Sequence, residues 1–248
     1  MKLFLVFISI VFSSFVFSQE PIMLEEARSL ERQFKTEDAI KKYLEILKAN
    51  ANDQKSLLRV LELYCMMGNE TENEEKRKQL YQLAITYSDR LWLSDSTTAD
   101  AHYAKALVYG RQITYSSVKE KAYLTKKIKE EADKALQIDP NHFKSLYTLA
   151  KWNDEVSSLN PAAKAALKVF FGGLPSASME EAIRLYQEVR KISPTFILNN
   201  YDLALSLKKL GKPDQAIAIL NAQMKYPIKT TEDQLYKNLS KQLLTSLQ

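Results

Sequence analysis

Cysteine and histidine are nearly missing from this chain: one cysteine, Cys65, and two histidines, His102 and His142, in 248 residues. A single thiol cannot close an intramolecular disulfide, so the fold must be held by packed apolar area, with Cys65 expected as a small buried hydrophobe. So few nitrogen and sulfur ligands make a zinc site or a Cys/His catalytic pair hard to assemble, and no H-E-x-x-H or C-x-x-C spacing is present. The one glycine pair, Gly172-Gly173, lacks the spacing that lets backbone amides cradle a phosphate. Neighbouring carboxylates such as Glu25-Glu26, Glu130-Glu131 and Glu180-Glu181 would point about 100° apart on a helix and do not converge as acid and base. They read as solvated faces and first-turn charges. No cofactor, no metal and no catalytic residue are expected, and the chain is read as a non-enzyme.

Breakers are also scarce. Five glycines and seven prolines leave long stretches in which Leu, Lys, Glu, Ala and Ile recur at helical spacing. Charge of one sign is modest as well, at a formal +5. The basic run Lys119, Lys121, Lys126, Lys127 and Lys129 is interleaved with Glu120, Glu130 and Glu131, so a nucleic-acid partner is not expected. Only one long apolar run exists, Leu3 to Phe17, behind the positive start Met1-Lys2. It is shorter than the ~20 residues that span a bilayer as a helix, and it ends at Val16-Phe17-Ser18. Residues 1–18 therefore read as a signal peptide cleaved before Gln19, the alternative being an uncleaved membrane anchor. The expected product is a single helical-repeat domain over 19–248, periplasmic or secreted, with no stable membrane span.

What is present is a repeat. Glu180-Glu181-Ala182-Ile183-Arg184-Leu185-Tyr186 matches Asp214-Gln215-Ala216-Ile217-Ala218-Ile219-Leu220, with Ala182 and Ala216 34 residues apart. A third copy is Glu37-Asp38-Ala39-Ile40-Lys41-Lys42-Tyr43, and a partial fourth ends in Ala135-Leu136-Gln137-Ile138-Asp139-Pro140. A period of 34 is that of the tetratricopeptide helical hairpin. The small residue lets the second helix of each hairpin approach the first, and the bulky residue four positions later fills the groove. The fold class expected is all-α, a tetratricopeptide-like α-α superhelix of about ten or more helices.

Two segments break the period. Asn160 to Pro175 reads as an inserted short helix ended by Gly172-Gly173, and Gly68 to Lys78 reads as a polar, solvent-exposed turn leading into a long helix from about Lys76 to Leu93. His142, after Asp139-Pro140-Asn141, reads as a residue of the turn that caps the next helix, which runs from His142 to Val156. His102 reads as a packing or surface residue.

The stretch from Lys134 to His142, then Lys151-Trp152, then Phe170-Phe171-Gly172-Gly173-Leu174-Pro175-Ser176-Ala177-Ser178-Met179-Glu180-Glu181-Ala182 resembles the regulator of microtubule dynamics family of tetratricopeptide-like proteins. Ser193-Pro194, Asn199-Asn200-Tyr201, Leu210-Gly211-Lys212, Tyr226-Pro227 and Thr231-Glu232-Asp233 continue it in the same order, so the likeness covers roughly residues 75–248. The resemblance implies a superhelix of hairpins without established catalytic residues, used in the animal members as a binding scaffold near microtubules or organelle membranes.

Peptides bind such superhelices through aromatic residues on the concave, first-helix face. Tyr64, Tyr103, Tyr147 and Tyr201 fall in the expected first helices and are the candidate groove residues. The function expected is an exported, non-catalytic scaffold for a protein or peptide partner in the cell envelope. The alternative is a carrier of lipid or another small ligand in an enclosed superhelical channel, suggested by the apolar insertion from Ala162 to Leu174.

Overall fold

The structure is a computed structural model, and it describes residues 21–173 and 175–247. The expected signal peptide and its cleavage point lie outside the described residues. Among the described residues there are twelve α-helices, one short 3₁₀ turn and no β-strand. The chain forms an all-helical superhelix of antiparallel hairpins.

The hairpins pair α1 (21–32) with α2 (Thr36–Ala49), α3 (Gln54–Glu70) with α4 (Glu74–Ser94), and α5 (Ala99–Gln112) with α6 (Val118–Ile138). After α7 (Phe143–Ser157) the chain makes the inserted helix α8 (Pro161–Phe171) before α9 (Met179–Ile192) returns to pair with α7. The last hairpin is α10 (Ile197–Lys209) with α11 (Pro213–Gln223), and α12 (Thr231–Leu247) packs across both. First helices touch first helices, α3 to α5, α5 to α7 and α7 to α10, so they form one continuous inner layer. The inner layer is the concave face.

The repeat residues do what their sizes demand. Ala39, Ala182 and Ala216 are fully buried, and Tyr43, Tyr186 and Leu220 four residues later fill the grooves beside them. Prolines and glycines set the ends. Pro213 opens α11 at its first turn, and Gly211 takes a φ of 68° just after α10, where Lys212 N–H reaches back to the Leu207 carbonyl. The insertion is stopped the same way by Gly172 and Gly173, at φ 70° and 99°.

The Gly68 region corrects the sequence reading. α3 runs on through Glu70, the turn is confined to residues 71–73, and Gly68 is buried inside the helix. The Tyr81 ring of α4 lies where a β-carbon on Gly68 would stand, and its hydroxyl donates to Asn69 at 2.9 Å. The glycine serves close helix approach, a use that in sequence looks identical to a turn glycine.

Candidate functional site

The inner layer carries charges where a purely structural hairpin would carry apolar side chains. On α3, Arg59, Glu62 and Met66 are spaced to share one helical face, and that face looks into the concavity. Glu31 of α1 accepts from Arg59 Nε at 2.9 and 3.0 Å, from Arg59 Nη2, and from the Tyr43 hydroxyl at 2.7 Å. Glu62 accepts from Arg59 Nη1 at 2.9 Å and from Lys144 Nζ of α7 at 2.5 Å. Burial works to raise the Glu62 carboxyl, but Lys144 and Arg59 outweigh it and hold it below the usual carboxylate range. These groups form the floor of a recess of 380 Å³.

Further along the same layer the pattern repeats. Asp202 of α10, buried, accepts from the Tyr147 hydroxyl at 2.8 Å, and Lys151 Nζ stands 3.3 Å from the same oxygen. Here burial prevails over Lys151 and Tyr147, so the Asp202 carboxyl lies above its ordinary range. Asp154, one turn further along α7, accepts from Ser206 Oγ at 3.0 Å and Lys209 Nζ at 2.6 Å. A second recess of 510 Å³ opens beside this network, with mainly apolar walls from Ala106, Ile128, Trp152, Val156 and Leu198. Arg111 also lines it, and its Nε is buried without a hydrogen-bond acceptor. The inserted helix contributes Ala163 and Leu167 to the wall, and the exposed Val118 flanks the mouth.

The start of α12 separates the two recesses. Lys229 and Thr230 line the charged one, while Glu232 and Tyr236 line the apolar one. Thr231 Oγ1 lies 3.6 Å from Met66 Sδ on α3, a contact between residues far apart in the chain. Asp233 fixes this strap: its carboxylate accepts from the Lys229 and Thr230 amides at 2.9 and 3.1 Å, and its own amide donates to Thr230 Oγ1 at 3.0 Å.

The four tyrosines singled out by sequence do not form one row. Tyr147 and Tyr201 belong to the apolar end of the concavity: Tyr147 lines the recess, and Tyr201 packs on Tyr236 with ring centroids 5.4 Å apart. Tyr103 is buried beside His142 and beneath Lys144, so it supports the charged floor from below. Tyr64 lies two residues from Glu62, about 200° round the helix, and packs against Tyr87 of α4 away from the concavity. Position in a first helix does not fix the face a tyrosine takes, which depends on register within the helix. Arg59, Glu62, Lys144, Lys151 and Asp202 were missed. Isolated charges interrupting the apolar stripes of α3, α7 and α10 were the available signal.

The histidines are structural. Ser145 N–H donates to His142 Nδ1 at 3.2 Å, capping α7, and Nε2 lies 3.0 Å from Asp100. His102 Nδ1 lies 2.6 Å from Glu131, which also accepts from Lys134 at 3.0 Å, so Glu131 is buried and paired and not a solvated helix-face charge. Cys65 is buried, and burial pushes its thiol up to about 11. Among the described residues no cluster of potential metal ligands occurs, and no helix is long and apolar enough to cross a membrane.

A family model described as regulator of microtubule dynamics protein 1-3 matches residues 23–248. Among curated relatives, regulator of microtubule dynamics protein 1 of Mus musculus is 27% identical over 180 residues, covering 72% of this chain. Protein 2 of Mus musculus is 24% identical, covering 88% of the chain. The chain spans 59% and 60% of the length of these two relatives. Among solved structures, a thermophilic tetratricopeptide-repeat protein of Thermus thermophilus superposes with a TM-score of 0.63 at 12% identity, over 91% of this chain and 99% of that one. That likeness shows the fold.

Proposed function

The chain belongs to the regulator of microtubule dynamics protein 1-3 family, and from that premise we propose that it is a non-catalytic scaffold holding a protein or peptide partner along its concave face, on the far side of a membrane from where it is made. The observation that carries the reading is a pair of recesses on either side of the start of α12: a charged one floored by α1, α3 and α7, and an apolar one walled by α5, α6, α7 and the inserted α8. A surface meant only to be solvated has no use for a buried network such as Glu31–Arg59–Glu62–Lys144, since burying charges costs more than leaving them in water. An extended segment laid along this face meets both kinds of recess, which suits side-chain recognition. Export rests on the apolar run Leu3 to Phe17 alone.

The test is affinity capture from a native extract of the source cells. A partner retained at one-to-one stoichiometry, and lost when Ala163→Trp fills the apolar recess, supports the reading; a partner indifferent to that change counts against it. Sequencing the N-terminus of the exported product checks the leader: it should begin at Gln19.

A second reading is favoured by the apolar recess itself. Its 510 Å³ falls within the ~300–1,000 Å³ of small-ligand sites, and Arg111 and Lys151 stand at its apolar walls. A lipid or other amphipathic molecule with an anionic end would fit those walls. Native mass spectrometry distinguishes the two, since a carrier retains a small-molecule adduct and a scaffold does not.

A further inference from the structure

We propose that the charged recess between α1, α3, α7 and the strap before α12 is the docking site for an acidic segment of the partner. The inference rests on the concave-face reading and names the partner chemistry for one half of that face.

The floor of this recess is internally balanced. Glu31 and Glu62 are met by Arg59 and Lys144, and together they neither attract nor repel a charged visitor strongly. The rim is different. Arg28 of α1, Lys55 of α3 and Lys229 of the strap all line the recess, all are exposed, and among the described residues none has a carboxylate within salt-bridge distance. Arg32 is bound to Glu25 at 2.6 Å, and Asp100, 3.0 Å from His142 Nε2, adds one carboxylate to the rim. Three cations without ion-pair partners and one carboxylate therefore surround one hollow, an excess of positive charge at its rim.

They come from segments far apart in the chain, so no single amphipathic helix accounts for them; the superhelix gathers them. Cations gathered in excess of their counter-charge repel one another and raise the local potential, and a further carboxylate in their midst relieves both. The recess is a hollow of 380 Å³ and not a stripe, and its rim offers cations without aromatic faces. A nucleic acid needs a basic track, with aromatic platforms when single-stranded, whereas one or two Asp or Glu side chains need only a pocket. The apolar recess on the other side of the strap then takes the uncharged remainder of the same segment.

The test uses the full chain and a fluorescein-labelled peptide of alternating Glu and Ala, read by anisotropy at ~0.05 M salt, where screening is weak. Saturable one-to-one binding is expected. The triple variant Arg28→Glu, Lys55→Glu, Lys229→Glu should weaken it by roughly thirtyfold, at about threefold or more per exposed pair. The control is Lys212→Glu, Lys225→Glu, Lys241→Glu, which changes net charge equally at exposed positions outside the recess and should leave affinity within about twofold. Matching circular dichroism spectra and melting curves establish that both triples fold, and Lys55→Glu alone provides the reading if the first does not. Absence of saturable binding, equal weakening by both triples, or tighter and equally recess-dependent binding of a single-stranded oligonucleotide overturns the proposal. Those outcomes leave the concave-face reading standing, because that reading is decided by where a native partner attaches and not by its charge.

Discussion

Phe34 ends α1 in a backbone conformation that L-residues avoid, at φ 61°, while Phe34 N–H and Lys35 N–H close the helix onto the carbonyls of Glu31 and Leu30. This is the place glycine normally holds. The ring is 46% exposed, so the packing of its covered part offsets the relief of backbone strain, and Phe34→Gly is expected to shift stability by less than about 1 kcal/mol. A calorimetric melt showing a larger loss would mean that the packing of the ring outweighs the strain. Gly68 argues in the other direction. Gly68→Ala drives a methyl into the Tyr81 ring and should cost about 1–3 kcal/mol by overpacking, measurable as a drop in urea midpoint. At Glu62 the sign of the pH dependence follows from the lowered carboxyl: the unfolded chain takes up the proton first as pH falls below the ordinary value of 4.5, so this contribution is full above that pH and lost below it. Glu62→Gln should be less stable than the parent at neutral pH, with the gap narrowing on acidification. The identities of Glu31, Arg59, Glu62 and Lys144 are plain in the sequence, but their partnership spans three helices and depends on the superhelical register, which no local pattern encodes.

Elements were easier to read than residues where the pattern was periodic. The alanine positions Ala39, Ala182 and Ala216 marked the second helices because a 34-residue period repeats both size and spacing, and the insertion Pro161–Phe171 stood out because proline and paired glycines bound it. The strap was not legible. No periodic pattern marks Tyr226 to Thr230, and the placement of Thr231 against Met66 follows from how far the superhelix has turned by its last hairpin. Asp233 is what holds it in place. Asp233→Ala should cost about 1 kcal/mol, the usual loss for a helix cap, and hydrogen exchange should quicken at the Lys229 and Thr230 amides while the α10–α11 hairpin keeps its protection. Equal quickening throughout the C-terminal half would mean that the strap and the hairpin open as one unit.

As a whole molecule the chain is a short solenoid in which each hairpin is stabilised by its neighbours, with one apolar core running from α1 to α5 and another from α5 to α12. Closing the open end with α12 brings the two halves of the concave face together and divides it by chemistry. The central claim is that partners attach to that inner face. The most direct measurement places a photo-crosslinking residue, one at a time, at Lys55 and Leu198, which line the charged and apolar recesses, and at Leu83 and Leu93, which are exposed on α4. Irradiation in the source cells should give a discrete protein adduct from Lys55 and Leu198 and none from Leu83 or Leu93. An adduct formed from the α4 positions, with the inner ones silent, would contradict the account.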